Sequence, residues 1–156
     1  MNIYFIRHSK AEPASANKKD SEREITQDGL ELISSAAKQW RTRISNFDYL
    51  FTSPFIRAVQ TTNAIKDVIT IANDIVIDKS LMPGCKADAI IQLADTIEAD
   101  NIAFVGHQPD MSFIISRFVS SYDVNLKFSP AAIAKISFKE KPNFGEGILE
   151  FLLPAL

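Results

Sequence analysis

Ile3-Tyr4-Phe5-Ile6-Arg7-His8 and Ile102-Ala103-Phe104-Val105-Gly106-His107 decide the fold. Each is a short apolar run rich in β-branched and aromatic residues, and each ends on one of the chain's 2 histidines. Continuous apolar runs of this length suit strands buried on both faces, as in a parallel sheet covered by helices. Such sheets collect their chemistry at the carboxyl ends of their strands. Two imidazoles delivered there, one beside an arginine, predict one site assembled from distant parts of the sequence. A single histidine after a strand is as often an ordinary loop residue. The pair weighs more, because both follow the same local pattern and both precede a helix-start signal.

Working outward, the residues alternate between strand and helix patterns. Residues 2–6 form the first strand, and 9–24 a long polar loop without a clear period. Thr26 is a candidate N-cap for a helix reaching about Ile44, with Leu30, Ile33, Ala37 and Trp40 at helical spacing; Gly29 in its first turn suggests close packing. Residues 48–52 read as a strand, then Ser53-Pro54 as an N-cap with proline at the first helical position, opening a helix through Arg57, Gln60, Ala64 and Val68. A short strand at 75–77, a helix at 86–98 and the strand at 102–106 follow. Gln108-Pro109-Asp110 opens a helix to about Ser121. Ala132–Phe138 and Ile148–Leu153 read as a hairpin around Pro142, Gly145 and Gly147. The expected architecture is a single α/β domain over 1–156, a three-layer α/β/α sandwich with a mixed, mostly parallel sheet.

Composition agrees with an ordinary globular domain: 156 residues, 46% hydrophobic and 23% charged. A net charge of -2 argues against general affinity for nucleic acid or anionic membrane, while leaving room for a locally basic pocket. The single cysteine, Cys85, cannot form an internal disulfide, and its turn, Met82-Pro83-Gly84-Cys85-Lys86, reads as the setting of an incidental thiol. No signal peptide or membrane-spanning run is expected, so the predicted location is cytoplasmic. No residues have metal-ligand spacing, and no cofactor is called for.

Four residues emerge from three strand ends: Arg7 and His8 after the first, Arg57 one turn into the helix after the second, and His107 after the later one. All four can face one anion. Two guanidiniums supply permanently charged donor forks matched to phosphate oxygens, and proline-opened helices add backbone N–H groups with a positive dipole end. Phosphate is the natural guest.

Arg7-His8-Ser9, Thr26-x-x-Gly29, Ser53-Pro54-Phe55-Ile56-Arg57-Ala58-x-Gln60-Thr61 and Gly106-His107-Gln108-Pro109, in this order across the chain, resemble the histidine phosphatase superfamily, with its phosphoglycerate-mutase-like fold. The small size, Asp20-x-x-Arg23, the turn Leu81-Met82-Pro83 and the segment Ser129-Pro130-Ala131-Ala132-Ile133-Ala134 resemble its SixA-type phosphohistidine phosphatases. The resemblance implies that His8 is the nucleophile, forming a phosphohistidine that water hydrolyses. Arg7, Arg57 and His107 would hold the non-bridging oxygens, with Gln108 among the phosphate-binding residues. Asp20 and Arg23 would brace the loop beside the phosphate. Ser9 stands where glycine is common in the wider family, so either the backbone there needs no positive φ or a hydroxyl is tolerated beside the nucleophile.

Many relatives carry a general-acid carboxylate before the second histidine; here the matching turn is Leu81-Met82-Pro83-Gly84-Cys85-Lys86. An alcohol leaves badly unless protonated, whereas an imidazole, with a pKa of about 6.5, leaves readily. The missing carboxylate favours phosphohistidine as substrate, although Asp88, a few residues on, is an alternative acid; its ordinary reading is a solvated residue in a helix's first turn. The chain between Arg57 and His107 is nearly consumed by helices and a strand, leaving little for a lid, and an open site admits a side chain displayed on another protein. The SixA resemblance thus implies a metal-independent phosphatase that removes phosphate from phosphohistidine on a protein, such as a histidine phosphotransfer domain of a signalling or sugar-transport relay. Two alternatives stay open: a small-molecule phosphomonoesterase using Asp88 or water as proton source, and a non-catalytic phosphate-binding module.

Overall fold

The computed structural model describes residues 1–156. Six strands form one sheet in the order β3-β2-β4-β1-β5-β6. They are β1 (Asn2–Arg7), β2 (Asn46–Thr52), β3 (Thr70–Ile77), β4 (Asn101–Gly106), β5 (Ile133–Ser137) and β6 (Ile148–Leu153). The first four in that spatial order are parallel; β5 runs antiparallel to β1, and β6 antiparallel to β5. Four helices, α1 (Gln27–Trp40), α2 (Ile56–Lys66), α3 (Ala87–Asp95) and α4 (Asp110–Val119), cover the two faces. The architecture is the mixed, mostly parallel α/β/α sandwich expected from the alternating pattern.

The strand period of two explains the layers, because alternate residues feed opposite cores. Ile3, Phe5, Ile102 and Phe104 point to the side holding Ile90, Ala94, Ile114 and Phe118 of α3 and α4. Tyr4, Ile6, Ala103 and Val105 point to the side holding Ile33, Ala37 and Trp40 of α1 and Ala58 and Ile65 of α2. Residues 3–6 of β1 and 102–105 of β4 are therefore buried on both faces, as their unbroken apolar runs predicted. A row of stacked rings, Phe51, Phe104, Phe5 and Phe118, crosses the first core with centroids 5.3, 6.1 and 5.9 Å apart. Such offset pairs add directional attraction to simple burial.

Some element boundaries differ from the sequence expectation. β3 starts at Thr70 rather than residue 75; it is an edge strand with several exposed positions, so no apolar period marks its first half. α1 ends at Trp40, because Thr42 and Arg43 close turns onto Gln39 and Trp40 before Ile44 packs inward. The polar loop contains a 3-10 turn at Asp20–Glu22 and is tied at its base by the Ala11–Ile25 bridge and by the Thr26 amide, which donates to the Lys10 carbonyl at 3.0 Å. Ser53 does not cap α2. The helix begins at Ile56, with Phe55 in the cap position, and Ser53 has a different partner.

Candidate active site

β2, β4 and β1 lie side by side, and their carboxyl ends are level: Arg7 pairs with Gly106, and Thr52 with Val105. One residue further, the His8 amide donates to the Gly106 carbonyl at 3.0 Å and the Ser53 amide to the Val105 carbonyl at 3.1 Å. His8, Ser53 and His107 therefore stand abreast. The imidazole rings of His8 and His107 lie 5.1 Å apart. Because β1 and β4 are neighbours although far apart in sequence, this is the position where open α/β sheets place their ligands.

His8 is held in a definite tautomer. Its Nδ1 lies 2.7 Å from the Ser9 carbonyl oxygen, which can only accept, so Nδ1 carries the proton. Nε2 then presents a lone pair, towards which the Arg57 Nε–H donates at 3.2 Å. Burial is the main reason the His8 pKa falls to about 4; the hydrogen bond to Ser9 opposes this, and Arg57, Arg7 and Arg23 push the same way as burial. The ring is neutral near pH 7, and its free nitrogen is a competent nucleophile.

Arg57 projects from the first turn of α2, almost completely buried. It donates through Nη1 to the Asp20 carbonyl at 2.6 Å and through Nη2 to the Asp20 carboxylate at 3.1 Å. Its guanidinium also stacks on the Phe55 ring at 4.9 Å, and Phe55 meets His107 edge-on at 5.1 Å. Asp20 reaches back to Arg23 as well, Nη1 to Oδ1 at 2.7 Å. First Arg23 and then Arg57 hold the Asp20 carboxyl below the usual carboxylate range. The Asp20–Arg23 pair is thus a bridge from the polar loop to Arg57.

Arg7 donates through Nη1 to the Phe128 carbonyl at 2.9 Å, while its buried Nε–H has no partner within the protein. Burial lowers its pKa. The turn after Phe128 clamps the same strand end: the Arg7 amide donates to the Ala132 carbonyl at 3.1 Å, and the Ala131 amide to the His8 carbonyl at 3.4 Å. Ala131 adopts φ 56° to make that turn, the only positive φ outside glycine. Ser9, fully buried, therefore needs no positive φ, and its hydroxyl is used: it donates to the Gly29 carbonyl at 2.6 Å, while its amide donates to Thr61 Oγ1 at 3.0 Å. Thr61 in turn donates to the Arg57 carbonyl at 2.7 Å, linking the two motifs.

His107 is buried, and its Nε2 lies 2.8 Å from Ser53 Oγ. Burial above all, with His8 and Arg57, lowers its pKa to about 3, while Asp20 opposes them. A neutral His107 can still donate one hydrogen bond to an anion. Gln108 is placed otherwise than the phosphate-binding expectation: its carboxamide donates to Ser112 Oγ at 2.7 Å and accepts from the Ser112 amide at 3.1 Å, so the side chain serves the start of α4. Asp88 is exposed in the first turn of α3, where it lines a surface cavity of about 330 Å³ with Cys85, Phe113, Arg117 and Phe144. None of Arg7, His8, Arg57 and His107 borders that cavity. Cys85 is buried, and burial, with Asp110 and Asp78, pushes its thiol up to about 12.

Sequence reasoning did not single out Ser53, Phe55 or Thr61 for these parts. Ser53 looked like a helix cap because Ser-Pro has that form, and the aromatic two places before Arg57 had no period to mark it. Their roles depend on contacts with residues far along the chain. No group of three or more His, Cys, Asp or Glu side chains has metal-holding geometry, and no helix is long and apolar enough to cross a membrane.

Among solved structures, the fold is similar to that of the protein histidine phosphatase SixA complexed with tungstate: 20% identity, 98% of this chain and 96% of that one covered, TM-score 0.84. A putative phosphohistidine phosphatase SixA from Agrobacterium tumefaciens gives 21% identity, coverage of 98% and 97%, and TM-score 0.83. The phosphoserine phosphatase of Entamoeba histolytica, in complex with 3-phosphoglyceric acid, is similar at 15% identity, coverage of 99% and 97%, and TM-score 0.69. No functionally curated protein matches the sequence significantly. The family model for the histidine phosphatase superfamily (branch 1) matches residues 3–82, just over half of the chain and the part that holds Arg7, His8 and Arg57. With that match and the phosphoglycerate-mutase-like fold of its SixA neighbours, the chain belongs to the histidine phosphatase superfamily.

Proposed function

We propose that this phosphatase removes phosphate from phosphohistidine displayed on a protein, through a covalent phosphohistidine on His8. The observation that carries the reading is the state of His8: neutral, with Nδ1–H donated to the Ser9 carbonyl and the Nε2 lone pair directed at Arg57. A phosphoryl group seated against Arg57 takes over the Nε–H. Arg7 Nε and the free ring nitrogen of His107 are buried polar atoms without protein partners, suited to two further oxygens. His8 Nε2 then attacks phosphorus in line; the new N–P bond forms as the substrate's N–P bond breaks, and the leaving imidazole keeps the electron pair. Water attacks phosphorus on His8 in the second step, releasing inorganic phosphate and restoring the lone pair; the water's proton leaves with the phosphate or to solvent.

The proton supply supports this substrate class. Asp20, the carboxylate nearest this chemistry, is kept ionised by Arg23 and Arg57 and holds no proton to give. Asp88 lies in a separate cavity. A leaving imidazole with a proton on its other ring nitrogen departs neutral without an acid from the enzyme, whereas an alkoxide does not. The likeness to SixA structures points the same way. Rapid quench with a 32P-labelled phosphohistidine protein, followed by peptide mapping, should trap acid-labile, base-stable label on His8. Turnover with sugar phosphates or phosphoserine far above that with the phosphohistidine protein would replace this reading by a phosphomonoesterase, and binding without turnover of any phosphodonor would replace it by a phosphate-binding module.

A further inference from the structure

We propose that Ser53 is a positioning residue that fixes His107 as the Nδ1–H tautomer, so that a neutral imidazole donates to the phosphoryl oxygen. This rests on the phosphate-site reading above but not on which phosphorylated compound is the substrate. Hydrogen bonding between two buried residues decides the tautomer. Ser53 is fully buried and His107 nearly so. The Ser53 hydroxyl oxygen accepts from the Phe55 amide at 3.3 Å and lies 2.8 Å from His107 Nε2; no other partner lies within hydrogen-bonding reach.

Two arrangements are then open. If Ser53 donates its hydroxyl proton to Nε2, the serine is satisfied both as donor and as acceptor, and Nδ1–H is left as one free donor. If instead Nε2–H donates to Ser53, the hydroxyl proton has no acceptor and Nδ1 is a lone pair with no donor, leaving two buried groups unmet. Unmet buried polar groups are the costly case, so the first arrangement is favoured. Its single unmet group, Nδ1–H, is the His107 nitrogen without a protein partner. It is also the polarity an oxyanion requires. An imidazolium would leave the Ser53 proton without an acceptor, so the serine opposes protonation of His107 while preserving its donor. This explains why a Ser-Pro pair in the form of a helix cap does not cap α2: the turn from Ser53 to Phe55 serves β4's histidine instead.

The chain's 2 histidines make the test direct. Ring 15N and 13C shifts of histidine-labelled protein distinguish the tautomers, and a His8→Asn variant assigns the His107 signals. His107 should be the Nδ1–H form in the wild type and should keep that form on saturation with inorganic phosphate, with the Nδ1–H resonance shifting. In Ser53→Ala the ring should become a mixture of tautomers, and phosphate affinity should fall by about tenfold, matching a lost neutral hydrogen bond. A Ser53→Thr variant, which keeps the hydroxyl, should restore the Nδ1–H form. A wild-type His107 carrying its proton on Nε2 overturns the proposal without any variant. So does Ser53→Ala with the tautomer and phosphate affinity unchanged. Since the readouts are tautomer and phosphate binding, a failure to hydrolyse phosphohistidine would overturn the proposed substrate and leave the role of Ser53 to be decided by the spectra.

Discussion

At the scale of single residues, Arg57 donates to a neutral His8 whose ring lies beside that of His107. Arg57 is the most heavily committed, touching His8, Asp20 and the Phe55 ring at once. A lysine in its place keeps one positive charge but loses the planar fork and the stacking face. Arg57→Lys should therefore reduce kcat/KM on a phosphohistidine protein by about 10²-fold or more, the usual cost of removing an oriented donor from a developing anion. A loss under about threefold would remove Arg57 from the proposed phosphate site. Arg7, His8 and His107 could be picked out because histidine and arginine at strand ends are unusual enough to notice. Ser53 and Thr61 could not, since serine and threonine near a helix start have an ordinary local explanation.

At the scale of elements, α1 packs tightly against the chain leaving β1 at Gly29. A Cβ at Gly29 would collide with the Lys10 carbonyl oxygen, a backbone atom that cannot rotate away. That same carbonyl accepts from the Thr26 amide, and the Gly29 carbonyl accepts from Ser9. Glycine within a helix costs about 1 kcal/mol relative to alanine, so an isolated helix would gain from Gly29→Ala. Here overpacking should win, with a net loss of about 1–3 kcal/mol in urea denaturation. Activity should fall with it, because pushing α1 off Lys10 disturbs Ser9 and hence His8. Greater stability at unchanged activity would mean that the loop yields freely and does not hold His8. The Thr26 cap and the buried stripe of Ile33, Ala37 and Trp40 were legible from period and residue type. The first half of β3 and the 3-10 turn at Asp20–Glu22 were not, because exposed edge strands and ion-paired turns carry no apolar period.

At the scale of the whole molecule, folding takes two imidazoles into a site where they are neutral, and this ties stability to pH. Both folded-state values lie below the ordinary 6.5, His8 at about 4 and His107 at about 3. As pH falls below about 6.5 the unfolded chain takes up protons that the folded protein refuses, so their contribution is complete above that pH and is lost as pH falls to about 4 for His8 and about 3 for His107. The melting temperature should decline steadily between about pH 6.5 and pH 4, and His8→Asn or His107→Asn should flatten that slope. Asp20, held below its ordinary value, has the same sign but acts in a lower window, below its usual 3.8. A melting temperature level across pH 6.5 to 4.5 would mean that the imidazoles are not buried in the neutral state.

The buried strands, the amphipathic helices and the layers they form follow from sequence alone, because hydrophobic period and apolar runs are local signals read from an element's own residues. The two histidine-ended runs likewise end side by side, since a parallel sheet brings its strand ends together whatever the loops do. Which way the side chains face, and what they find there, was decided only by the tertiary structure. Asp20 on Arg57, Ser53 on His107 and Ser9 between Gly29 and Thr61 are contacts between residues distant in sequence, made because buried polar groups take the partners that packing brings within reach.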